Sequence, residues 1–145
     1  MKVAGKRGEA DLQFARSCMD DVLREFLTES NENLVRLEQD IVELERSPGN
    51  SATLNSIFRT VHTIKGTCGF LGLERLERVA HSGESVLVLV RDGKLDASRE
   101  LMTTVLAAVD VFKGILAGLE KAGEEPAGDD SALIAELDAW VAGDT

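Results

Sequence analysis

From Asp11 to Arg46 the chain contains neither glycine nor proline, and its apolar residues return at intervals of three and four: Val22, Leu23, Phe26, Leu27, Leu34, Leu37, Ile41 and Leu44. That recurrence follows the period of an α-helix and predicts one long amphipathic helix. An apolar stripe of this length has to be covered, and the rest of the chain supplies covers of the same period. "SPGNS" (47–51) stops the first helix. A second is expected to start with Ser51 or Thr53 as N-cap, to carry Leu54, Ile57, Phe58, Val61, Ile64, Cys68 and Leu71, and to end at Gly72. A third, from Leu73 or Glu74, carries Leu76, Val79, Ala80, Gly83, Val86, Leu87 and Val90 before "RDGKLD" closes it. The fourth runs from about Ala97 to Lys121 with Leu101, Val105, Ala108, Val109, Phe112, Ile115, Leu116 and Leu119 on one side. The composition of "AGEEPAGDD" makes residues 123–131 a linker, and 132–142 read as a short fifth helix with Leu133, Ile134, Leu137, Trp140 and Val141 on one side. Residues 1–10, rich in Gly and Lys, are expected to be disordered. The predicted fold is all-α: an antiparallel four-helix bundle over residues 11–122 with an additional short C-terminal helix.

Composition agrees with helices packed on helices. With five Phe, one Trp and no Tyr, the core must be built from Leu, Val, Ile and Ala. Sixteen Lys and Arg against 26 Asp and Glu leave a net charge of −10. A general nucleic-acid binder needs a basic surface, so that class is excluded. An anionic membrane surface would repel the chain. No apolar run of about 18 residues stands out, and no apolar stretch follows the charged N-terminus, so neither a membrane span nor a signal peptide is expected. The two cysteines, Cys18 and Cys68, lie too far apart in sequence to form a metal-type pair. A cytoplasmic protein with reduced thiols is the resulting expectation.

"TVHTIKGTCGF" (60–70) is at odds with its place in a core helix. Each glycine costs a helix roughly 1 kcal/mol relative to Ala, and His and Lys add little to a core. At about 100° per residue, His62 falls about 100° from the Val61 direction, at the border of the buried stripe. Lys65 lies one turn further along the same surface, and Gly66 leaves the patch beside the imidazole bare. Arg59 is on the same side, and Gly69 is about 80° from Val61. On the third helix Glu84 also falls at the border of its stripe, with His81 three residues before it and Val88 four after. If the two helices pair antiparallel, Glu84 can lie across from His62. A carboxylate that accepts the Nδ1–H fixes the tautomer and turns Nε2 outward as a nucleophile. The Lys65 ammonium can then bind the oxygens of an incoming phosphoryl group. Taken alone, the spacing leaves two readings open: His62 as a solvent-facing histidine with Gly66 a packing contact, or a nucleophile with a cleared approach.

"FRTVHTIKGTCGFLGLERLERVAHSGE" (58–84) resembles the histidine phosphotransfer (HPt) domain of the chemotaxis histidine kinase CheA. The likeness rests on Phe58, Arg59, His62, Thr63, Ile64, Lys65, Gly66, Gly72, Leu76, His81 and Glu84, and the four-helix layout extends it over most of the chain. His-x-x-Lys-Gly is shared with simple HPt domains, whereas the second histidine, His81, favours the CheA type. The resemblance implies that His62 is the phosphoacceptor, that Glu84 orients it, and that Lys65 and His81 belong to a surrounding polar network. It further implies that Gly66 clears space for a partner, on a surface to which Arg59, Gly69 and Val88 contribute. The partners implied are the ATP-binding kinase domain of a CheA-type kinase and a CheY- or CheB-like response regulator. ATP and Mg would be bound by the separate kinase domain and no cofactor by this chain. No Gly-rich phosphate loop occurs here, so no ATP site is expected in this chain; the resemblance implies a phosphocarrier that is part of a protein-histidine kinase. The alternatives are a stand-alone or hybrid-kinase phosphorelay protein and a docking bundle that is not phosphorylated. A carboxylate-bridged metal enzyme would need two Glu-x-x-His motifs, and His81-x-x-Glu84 occurs once and in reverse order.

Overall fold

The computed structural model describes residues 2–143, with side chains from Asp20 onward. Five helices follow one another: α1 (Lys2–Arg46), α2 (Ser51–Leu71), α3 (Glu74–Arg91), α4 (Arg99–Ala122) and α5 (Ser131–Ala142). Each of the first four packs on its neighbour in the chain, and α1 also packs on α4 to close the ring. Short connections make successive helices antiparallel. The additional helix, α5, lies against α3 and α4.

The stripes meet in one core. From α1 come Phe26, Leu34, Leu37, Ile41 and Leu44, from α2 Ile57, Val61, Ile64 and Cys68, and every apolar residue expected to be buried on α3 and α4 is buried. Val22 and Val141 are exceptions, 39% and 43% exposed, because each sits at the outer edge of its stripe. Residues 2–10 differ from expectation: the helix extends back to Lys2. Gly5 and Gly8 are its only weak formers there and no proline intervenes, so propagation from the downstream turns carries it through. The α2 N-cap is Asn50, one residue before the earliest candidate, whose Oδ1 accepts from the backbone N–H of Ala52 and Thr53. The side chain of Cys18 lies outside the described set; Cys68 is buried, and burial pushes its thiol up to about 12, which makes it inert.

By length and composition α4 is apolar enough to cross a bilayer. Its stripe, from Leu101 to Leu119, is instead the inner wall of the bundle.

The segment read as a linker is a strap. Glu125 accepts hydrogen bonds from the backbone N–H groups of Arg75 and Leu76 at 2.9 and 3.1 Å, capping a helix whose own N-cap, Leu73, has no side chain to do so. Arg75 returns the contact through two bonds to Asp130, both 2.9 Å, and one to the Pro126 carbonyl. Pro126 lies on α4 where Gly118 has no side chain: a Cβ there would sit 2.6 Å from the proline ring. Gly114, one turn earlier, faces open space. Gly114→Ala is therefore expected to stabilise the fold by up to about 1 kcal/mol in urea titration. Gly118→Ala should lower stability despite the same gain in propensity, because a proline ring cannot fold away. Equal stability of the two variants would mean that the strap does not press on α4.

Candidate functional site

The site is built on the α2–α3 pair. Gly72 ends α2 in the left-handed region, φ 72°, its N–H bonded to the Gly69 carbonyl and that of Leu73 to the Cys68 carbonyl. Only glycine adopts this conformation at no steric cost, and the tight turn brings α3 straight back along α2. His62 and Glu84 then face each other, with Nδ1 and Oε1 3.0 Å apart. The imidazole stays 62% exposed, whereas the Glu84 side chain is 13% exposed. The nitrogen that meets protein is Nδ1, so Nε2 is left for solvent or a partner.

Lys65, one turn after His62, brings Nζ within 3.1 Å of the other carboxylate oxygen, Oε2. Oε2 is buried, and Lys65 is the cation paired with it. An ammonium is a compact point charge with rotatable donors, so it can be shared with a second anion. Burial pushes the Glu84 carboxyl up, but the hydrogen bond to His62 and then the contact and charge of Lys65 outweigh it, and the group titrates below its ordinary 4.5. An ionised carboxylate can only accept. His62 must therefore donate from Nδ1, and a neutral ring then carries its lone pair on Nε2.

Gly66 is exposed, and a Cβ placed there would meet nothing within 4 Å. It is not a packing contact between helices. Gly69 differs: a Cβ there would lie 3.3 Å from the Glu77 carboxylate, so α3 already occupies part of its face. Arg59 is exposed, bonds weakly to the Asn55 carbonyl of its own helix, and lines a polar cleft with Asn33, Arg36, Ser56, Thr60 and Thr63. Val88 is half-buried on α3, one turn beyond Glu84.

His81 is not brought to His62. Its ring forms no hydrogen bond among the described residues and lines a cleft with Glu77, Arg78, Ser82 and Ile134. Ile134 brings α5 to that cleft, and His81 stays exposed. Two contacts lay beyond the sequence reading. The Phe58 ring stacks on the imidazole, centroids 6.0 Å apart and planes 15° apart, and the Arg91 guanidinium lies 4.3 Å from the Phe58 centroid. The i, i+4 spacing of Phe58 and His62 was the available signal; Arg91 was hidden in a segment that reads as a turn. A third feature is Phe70, 83% exposed at the end of α2.

The site is thus an exposed imidazole paired through Nδ1 with a nearly buried carboxylate that also meets an ammonium. The Hpt domain family model matches residues 21–140, and the chain belongs to that family. It is 36% identical over 107 residues to the sensor histidine kinase CheAY of Helicobacter pylori, covering 74% of this chain and 13% of that protein. It is 34% identical over 130 residues to the chemotaxis protein CheA of Rhizobium meliloti, covering 87% of this chain and 17% of that protein. The chain thus spans less than a fifth of the length of these relatives. Among solved structures, the phosphorylated P1 domain of CheA3 in complex with CheY6 from R. sphaeroides superposes with a TM-score of 0.79 at 27% identity, over 87% of this chain and 99% of that one. The CheA phosphotransferase domain from Thermotoga maritima gives 0.67 at 28% identity, over 70% and 95%.

The pairing has a pH signature. A carboxyl titrating below its ordinary value contributes stability that is fully present above 4.5 and is lost as pH falls through the folded-state value. Unfolding measured between pH 6 and pH 3 should show a steeper loss below 4.5 for the wild type than for Glu84→Gln, which cannot titrate. Parallel curves would mean that Glu84 is not ionised against His62 and Lys65.

Proposed function

We propose that this chain is the phosphotransfer domain of a CheA-type chemotaxis kinase, with His62 as its phosphoacceptor. The observation that carries the reading is the pairing of an exposed imidazole with a nearly buried carboxylate through Nδ1, which leaves Nε2 as the outward nucleophile. In the first step Nε2 attacks the γ-phosphorus of ATP held by the separate kinase domain. The N–P bond forms, the bond to the bridging oxygen breaks, and ADP leaves with that electron pair. Nδ1 keeps its proton, so the ring becomes positive, and Glu84 neutralises the charge as it appears. In the second step a carboxylate oxygen of the response regulator attacks phosphorus, the N–P bond breaks, and its electrons return to the ring. A protonated ring is the better leaving group, so the same hydrogen bond serves both directions.

Transfer of a phosphoryl group asks for in-line positioning and charge neutralisation more than for covalent machinery. Lys65 supplies a cation that can shift from Glu84 Oε2 to a phosphoryl oxygen, while Mg and the nucleotide remain with the kinase domain. A CheY- or CheB-like regulator is the favoured acceptor, since a structural relative is itself described in complex with a CheY. A soluble, cytoplasmic setting fits this role.

Incubation with ATP and a CheA kinase fragment is expected to label the chain with an acid-labile, alkali-stable phosphoryl group. His62→Gln should abolish the label while helicity is unchanged; full labelling of that variant would remove His62 from the reaction.

Gly66 separates stability from transfer. Its Cβ position is open, so Gly66→Gln should keep the melting temperature of the wild type or raise it. The same side chain stands beside Nε2, and transfer to a regulator is expected to fall by an order of magnitude or more, within the roughly 100-fold that a 1 Å displacement of reacting atoms can cost. Normal transfer by Gly66→Gln would show that the bare patch is not an approach path.

A further inference from the structure

The contacts of His62 on the side of Phe58 remain outside the mechanism above. The hydrogen bond to Glu84 fixes the tautomer and one edge of the ring, but a single bond at Nδ1 lets the imidazole pivot about it. Exposed side chains change rotamer freely unless something packs on them, and this side chain is 62% exposed. Phase of the pivot matters because the Nε2 lone pair lies in the plane of the ring. A nucleophile has to present that lone pair in line with the bond that breaks.

Phe58 is one turn before His62 on α2, and its ring lies nearly parallel to the imidazole, 15° between planes. It is half-buried and packs against the core. Arg91 places its guanidinium over the phenyl face, at a distance where cation–π attraction is substantial. Glu84 and Arg91 are seven residues apart on α3, two turns, and so lie on one face of the helix. That face touches the site at two points: directly at Nδ1 through Glu84, and indirectly through Arg91 and Phe58.

We propose that Phe58 and Arg91 are positioning residues for His62: Arg91 pins the Phe58 ring, and the Phe58 ring sets the plane in which Nε2 presents its lone pair. The proposal rests on His62 being the phosphoacceptor. Neither residue touches phosphorus. Arg91 is not needed for the core, being an exposed residue at the end of α3, so its removal should leave the bundle folded.

The test uses the full 145-residue chain with ATP and a CheA kinase fragment, in three variants: Arg91→Ala, Arg91→Lys and Phe58→Leu. Arg91→Ala is expected to lower kcat for labelling severalfold at unchanged KM and unchanged melting temperature, and Phe58→Leu to lower it about tenfold. Arg91→Lys, which keeps a cation over the ring, should restore most of the rate. In the free protein, the ring resonances of His62 should move in Arg91→Ala and Phe58→Leu, because the stacked phenyl shifts them. A docking role for Arg91 would instead raise KM and leave those resonances in place, and that result overturns the proposal. So does wild-type kcat in both Arg91→Ala and Phe58→Leu. Should Phe58→Leu lose its fold, Arg91→Ala alone decides between these outcomes. If the wild type takes no label at His62, the phosphoacceptor assignment has failed. The His62 resonances of the variants still report whether Arg91 and Phe58 hold the ring.

Discussion

The register of α2 against α3 is the constraint on which the site depends. His62 meets Glu84, and seven residues further along α2 Gly69 meets Glu77, seven residues earlier on α3. Both pairs are centred on Leu73, the residue that follows the left-handed Gly72. A turn this short leaves no slack, so the backbone conformation of one glycine determines which α3 residue faces His62. At about 100° per residue, a change of one position in that turn would carry Glu84 off the α2 face altogether. The core alone does not impose this precision, since aliphatic side chains tolerate a sliding helix better than a hydrogen bond of 3.0 Å does.

Holding α3 in place is then the business of the other end of the chain. Its first turn has two backbone N–H groups satisfied by Glu125, and Arg75 is tied to Asp130 and the Pro126 carbonyl. α5 extends the hold by burying Leu137 completely in the bundle core, between α3 and α4. Residues far from His62 in sequence thereby fix the helix that orients it. The ring of four helices is enough to make a core, and the strap and α5 add a second clasp to the one helix whose register the chemistry needs.

Much of this was legible in the sequence, and the reasons are physical. Periodicity located all five helices because each stripe is buried by neighbours of the same period, and Gly72 announced its turn because few other residues tolerate φ 72°. The pairing of His62 with Glu84 followed from both lying at the border of their stripes on adjacent antiparallel helices. What failed was whatever depended on a third element. His81 reads as a neighbour of the site on the α3 wheel, yet it lines an exposed cleft with Ile134 of α5. "AGEEPAGDD" has the composition of a linker, and nothing local says that Arg75, some 50 residues earlier, will bind its acidic groups. Arg91 fell in a segment that reads as a helix end, where a basic residue is expected for the helix dipole alone. Composition describes a segment's own preferences, and these residues take their surroundings from other parts of the chain.

Charge completes the account. A chain of net charge −10 is a poor host for a phosphoryl group unless its field is reversed locally. At His62 the cation in reach is Lys65, 3.1 Å from Glu84 Oε2, and Glu84 is the one carboxylate in hydrogen-bond contact with the ring among the described residues. That carboxylate is itself balanced by Lys65, so the group that orients the imidazole adds little repulsion toward an incoming phosphate. In the proposed transfer, Lys65 gains a second anion and the ring gains a positive charge. Glu84, released in part from Lys65, is then the counter-charge for the ring. The three side chains exchange partners without leaving a charge unpaired in the half-buried α2–α3 seam, where an unpaired one would be most costly.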